Sequence, residues 1–190
     1  MDFRKTAFQE HQLTAIKKVI SILAPAVLLF LLVFCKEQRS KTDLQTTLEE
    51  TIKTNFESLI EDGWNNRDME KLKVISAENY IRTLNGITVA THQNEMEANI
   101  NIFIEGFPDC EMSVEQIILK GNKLFAHWTF KGTNNGVFGE SPPTGKKVNV
   151  TGCSTLLFNK QGKIAQEDVY YNELALLQQL GFTLSPPITD

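Results

Sequence analysis

Three observations predict an α+β fold. Apolar residues recur at three- and four-residue spacing from Leu44 to Ile104, the signature of helices buried along one face. Beyond Met112 the spacing drops to two, as in strands. Gly121-Asn122 and Gln161-Gly162 then break the second half at the points where hairpins close. Helices first and an antiparallel meander second is the pattern of a helix layer on one sheet.

The elements follow in order. Asp43 is placed to cap a first helix whose buried stripe is Leu44, Leu48, Ile52, Phe56, Leu59, Ile60 and Trp64, with Gly63 and Asn65-Asn66 ending it. Asp68 caps a second helix from Met69 to about Ala77, with Leu72 and Ile75 inward. Tyr80 to Leu84 reads as a short strand before the Asn85-Gly86 turn. A third helix from about Thr91 to Glu105 packs through Met96, Ile100, Phe103 and Ile104, and Gly106-Phe107-Pro108 stops it. Strands are expected at Met112–Lys120, Lys123–Lys131, Lys146–Asn159 and Lys163–Tyr171. A last helix from Glu173 to Leu180 ends at Gly181, a residue that tolerates the left-handed backbone of a helix C-terminus.

Residues 1–35 form a separate region. Val19 to Phe34 is apolar apart from Ser21 and Pro25, and as a helix it would span about 24 Å, short of the roughly 30 Å hydrocarbon core. Lys17-Lys18 precede it, and Cys35 with a polar run follows. This arrangement fits a lipoprotein-type signal in which Cys35 is lipidated, or an uncleaved anchor from about Ile16 to Cys35. Phe34 is bulky where such signals usually carry a small residue. A third reading is cleaved export of a soluble chain, and all three place the rest of the chain outside the cytoplasm, at the periplasm or surface of a bacterium. Residues 36–42 are then a polar tether, 43–182 one domain, and 183–190 a tail.

Composition excludes some partners. The net charge is −4 and no dense Lys/Arg cluster follows the N-terminal flank, so nucleic acid is not an expected partner. His11, His92 and His127 are scattered and no Cys/His spacing suits zinc, so neither a metal nor a cofactor is expected. Cys110 and Cys153 read as buried thiols or as a pair in an oxidising compartment.

Gly132-Thr133-Asn134-Asn135-Gly136-Val137-Phe138-Gly139, then Pro142-Pro143-Thr144-Gly145, then Gln178-Gln179-Leu180-Gly181 together resemble the signature of the SnoaL-like polyketide cyclases. These are small domains of the nuclear transport factor 2-like (cystatin-like) superfamily. The resemblance covers Thr47 to Phe182. It implies a cone in which a curved, mostly antiparallel sheet wraps a long N-terminal helix around an apolar hollow. A small apolar carbonyl compound is the implied ligand, and a homodimer is frequent in the superfamily.

In that family a carboxylate at the end of the last strand moves a proton next to a carbonyl. The matching position here is Asn172, which cannot take up a proton. The family's Gly-Thr-His turn reads Gly132-Thr133-Asn134, and Arg82 and Thr83 stand where a His often follows the short strand. The scaffold residues are retained while the polar ones have changed, which favours binding over turnover.

Asn172 and Asn134 are therefore candidate ligand contacts through their amides. Asp168 shares strand parity with Gln166, Tyr170 and Asn172, and reads either as a displaced pocket acid or as an exposed strand residue. His127 is the one imidazole in the sheet and reads as a base or as a structural histidine. Tyr80 and Tyr170 are candidate donors to a ligand oxygen, and Trp64 and Trp128 are candidate cavity walls. Phe138 is a candidate gate at the cavity mouth.

Overall fold

The structure is a computed structural model in which residues 43–186 are described. It divides into a unit ending at Thr46 and a second unit from Thr47 onward. In the first unit residues 43–46 are helical, so Asp43 lies within a helix instead of capping one. Leu44 is exposed, against the expectation that it joins the buried stripe. No helix among the described residues is long and apolar enough to cross a membrane.

The second unit begins with helix α1 over residues 47–58, which runs without a break into a π-helical segment at Leu59–Asn65. The change of period has a physical purpose. Five residues of α-helix turn about 500°, which would carry Trp64 some 140° off the face of Leu59. The wider i→i+5 turn brings it back. Ile52, Phe56, Leu59, Ile60 and Trp64 therefore stay on one buried face. Gly63 sits inside this turn, and a Cβ there would collide with the Leu72 side chain, so its role is close packing against α2.

Helix α2 (Met69–Ile75) is capped by Asp68, whose carboxylate accepts the Lys71 N–H. Two residues that the periodicity assigned to this helix, Ser76 and Ala77, instead open strand β1 (Ser76–Leu84), almost twice as long as expected. Asn85 and Gly86 both take positive φ (51° and 84°), the turn that matches strand twist, and lead into β2 (Ile87–Ala90), a strand that periodicity did not reveal. Four residues, two of them exposed, are too short to establish an alternation.

Helix α3 (Gln93–Gly106) and strands β3 (Glu111–Lys120), β4 (Lys123–Thr133), β5 (Lys147–Phe158) and β6 (Ile164–Tyr171) agree with the expectation within a few residues. Helix α4 (Glu173–Leu180) ends at Gly181, with φ 100°. The sheet order is β2-β1-β6-β5-β4-β3, antiparallel except where β1 lies parallel to β6.

Register decides what faces inward. One cross-strand row reads Leu119, Leu124, Leu156, Glu167, Arg82 and Ala90. A second reads Val114, Trp128, Gly152 and Tyr171. A third reads Ala126, Ser154, Val169 and Leu84. Residues of these three rows pack with α1, the π segment and α3 in one hydrophobic core. The opposite face carries Gln116, His127, Cys153 and Tyr170 in one row and Thr155, Asp168 and Thr83 in another.

Candidate functional site: a cavity with an ionic floor

The inner face of the sheet and the π segment leave a cavity with room of about 40 Å³ for the centres of water-sized molecules. Its walls are aromatic and aliphatic, with Trp64, Phe103, Trp128, Phe130 and Tyr171 among them. Trp64, Phe103 and Phe130 meet edge to face at 6.1–6.2 Å, and Trp128 and Tyr171 lie 6.4 Å apart. Sequence reasoning placed Trp64 and Trp128 at such a wall, and both line it.

The polar floor comes from the row that runs through Leu156. Glu167 accepts a hydrogen bond from the Tyr80 hydroxyl at 2.5 Å, another from Arg82 Nη1, and a third from Ser154 Oγ at 3.2 Å. Ser154 in turn accepts the indole N–H of Trp128 at 3.0 Å. All four partners of this network besides Trp128 are almost wholly buried. The Arg82 guanidinium lies 5.7 Å from the Trp64 ring centre, within cation–π range. Its Nε is buried without a partner.

Charge states follow from these contacts. Burial is the largest influence on Arg82 and lowers its pKa, but Glu167, Tyr80 and Tyr171 together outweigh it and the value is raised. Burial, reinforced by Glu167, pushes the Tyr80 phenol well above its ordinary range. Burial likewise pushes Tyr171 up to about 12, with Glu173 adding to the effect and Arg82 opposing it. Both phenols therefore hold their protons in the folded state at a pH where the unfolded chain, with a pKa of 10, has lost them. The folded state binds more protons above pH 10, so stability is expected to decline from there through about pH 12. Urea midpoints measured from pH 8 to alkaline values should show this slope, and Tyr171→Phe should flatten it. A profile as steep in the variant as in the parent would remove Tyr171 as a source.

Several expected site residues lie elsewhere. Asp168 is on the outer face, accepting from Thr83 Oγ1 at 3.0 Å and from Gln166 Nε2. His127 is also outside, 3.4 Å from Glu115, and Tyr170 is half exposed. Strand parity explains all three, since the inward residues are Glu167, Val169 and Tyr171 on β6 and Trp128 and Phe130 on β4. Asn172 is exposed and caps α4, its side-chain oxygen accepting the Ala175 N–H at 2.9 Å. It lies beyond the strand, so alternation no longer applies to it.

Asn134 is buried but structural. Its amide donates to Gly106 O and Gly136 O and accepts from the Thr144 N–H and hydroxyl, which pins both ends of the loop between β4 and β5. Tyr80 contributes from behind the floor through Glu167 and is not itself part of the lining. Phe138 packs at 5.2 Å on both Phe103 and Phe107, one layer outside the wall. Cys110 and Cys153 are free thiols, the first buried and the second on the outer face. Cys35 lies outside the described residues. Among the described residues, no group of three or more His, Cys, Asp or Glu is arranged to hold a metal.

Fold and cavity define a small α+β ligand-pocket domain, and comparison places it more closely. A model of the SnoaL-like polyketide cyclases matches residues 55–180, so the chain belongs to that family. No curated protein matches it. Among solved structures, a putative SnoaL-like polyketide cyclase from Jannaschia sp. CCS1 is similar with a TM-score of 0.65 at 19% identity, over 73% of this chain and 94% of that one. TsrD from Streptomyces laurentii is similar at 0.62 and 22%, over 70% and 96%. IdmH from Streptomyces antibioticus, a putative polyketide cyclase, gives 0.60 and 20%, over 69% and 99%. At these identities the likeness is one of fold.

Proposed function

We propose that this domain binds a small, mostly apolar carbonyl compound in the cavity and performs proton transfer next to its carbonyl group. The observation that carries the reading is the unpartnered Nε of Arg82, a buried N–H donor on a residue that lines a mostly apolar hollow. A ligand carbonyl oxygen accepting that hydrogen bond would be polarised by a fixed cation in a dry site, where such a contact is strong. Glu167 is the adjacent group able to carry a proton. Its Oε2 takes both Tyr80 and Arg82, while Oε1 has only the longer bond from Ser154 and keeps a lone pair. Removal of a proton beside the carbonyl by Oε1 would leave an enolate oxygen on Arg82, and return of that proton would complete an isomerisation or ring closure.

In this reading the acid/base role that Asn172 cannot fill has moved to Glu167, five residues earlier and inside the hollow. The N-terminal 35 residues would hold the domain at the outer side of a bacterial membrane, as a lipoprotein or through an uncleaved anchor. Mass spectrometry of the membrane-bound chain separates these two: a lipoprotein should begin at a lipid-modified Cys35, whereas an anchored chain should retain residues 1–34.

A thermal-shift screen of the full-length chain in detergent against small ketones, esters and lactones tests the pocket. Stabilisation by a hit should disappear in Arg82→Lys and Glu167→Gln and persist in Asp168→Asn and His127→Ala. Loss of the shift in the outer-face variants instead would move the site to the other side of the sheet.

A further inference from the structure

Building on the carbonyl-ligand reading, we infer that the cavity is built to select an uncharged oxygen ligand and to reject the carboxylate of the same shape. Among the described residues, Arg82 and Glu167 are the only charged ones in its lining, and they form an ion pair with each other. The floor therefore presents a hydrogen-bond donor without a free positive charge. This is unusual for a pocket containing a buried arginine, which would ordinarily be read as an anion site.

An entering carboxylate would bring a second negative charge beside Glu167 with no second cation to answer it. The mostly apolar walls of Trp64, Phe103, Phe130 and Trp128 supply little to replace the water that would otherwise hydrate that charge. A ketone or ester oxygen meets none of these obstacles. It takes the Arg82 Nε–H, which has no partner within the protein among the described residues.

The test uses isosteric pairs on the ¹⁵N-labelled full-length chain in nonionic detergent: acetone against acetate, and 4-methylpentan-2-one against 3-methylbutanoate. The readout is the Nε–H signal of Arg82 together with the indole N–H signals of Trp64 and Trp128. The ketone of at least one pair should move the Arg82 signal, with the matching carboxylate at least about a hundredfold weaker, the scale expected for burying an unanswered charge. Glu167→Gln, which frees the cation, should reverse the preference. Equal or tighter binding of the carboxylate to the parent protein would overturn the selectivity while leaving the carbonyl pocket standing. An Arg82 signal unmoved by any of the four probes at their solubility limits would overturn both, and this arm does not depend on whether the variant folds.

Discussion

Arg82→Ala is expected to destabilise the domain by about 3–5 kcal/mol, the cost of leaving one member of a buried ion pair without its partner. Glu167 would remain in the core with only the Tyr80 and Ser154 hydroxyls to hold it. Equilibrium urea unfolding measures the loss. The more instructive variant removes the whole polar group: Tyr80→Phe, Arg82→Met and Glu167→Met together should regain most of that stability, because apolar side chains of similar volume replace a desolvated pair at little or no net cost. That protein should fold and fail to bind a ketone. An Arg82→Ala loss under about 1 kcal/mol would indicate a solvated pair instead, with a value typical of surface salt bridges.

Trp128→Ala should cost a similar amount, about 3–5 kcal/mol, through lost burial and the void left behind. The indole is packed against Tyr171, donates to Ser154, and occupies the space beside Gly152 where a Cβ would strike its ring. Its removal extends the hollow at the polar floor. The variant should therefore bind apolar probes more tightly than the parent does, read as a larger thermal shift with benzene or toluene. A destabilised variant that binds neither would mean that the surrounding side chains collapse into the space.

The sequence carried the layer architecture well because long periodic segments leave little ambiguity. The stripe from Leu48 to Trp64 on the first helix, the four alternating apolar residues of β4 and the C-terminal Gly181 each admit one reading, whereas Leu44, read into the same stripe, is exposed. The site was legible only in its walls. On β6 both faces carry a carboxylate and a tyrosine, so the strand alone does not reveal which side is inward. The information was in the register. The Gln161-Gly162 turn pairs Leu156 with Glu167, and the neighbouring strand pairs Leu156 with Leu124, so Glu167 extends a leucine row and must be buried. The parallel contact of β1 with β6 is what brings Arg82 opposite it, and no local pattern announces a pairing between residues so distant in sequence. Matching by family position led instead to Asn172, where the backbone leaves the strand and the side chain serves α4.

That same pairing sets an order on biosynthesis. β1 takes its place beside β6, and Arg82 meets Glu167 across 85 residues of chain. While the polypeptide is being made, the arginine emerges long before its counter-charge, and the hairpin partners of β3, β4 and β5 can zip together with the middle of the sheet still open. Closure waits for the final strand to leave the ribosome. A nascent chain stalled before residue 164 would thus display a half-built interior with a lone guanidinium at its centre, the form most in need of a chaperone.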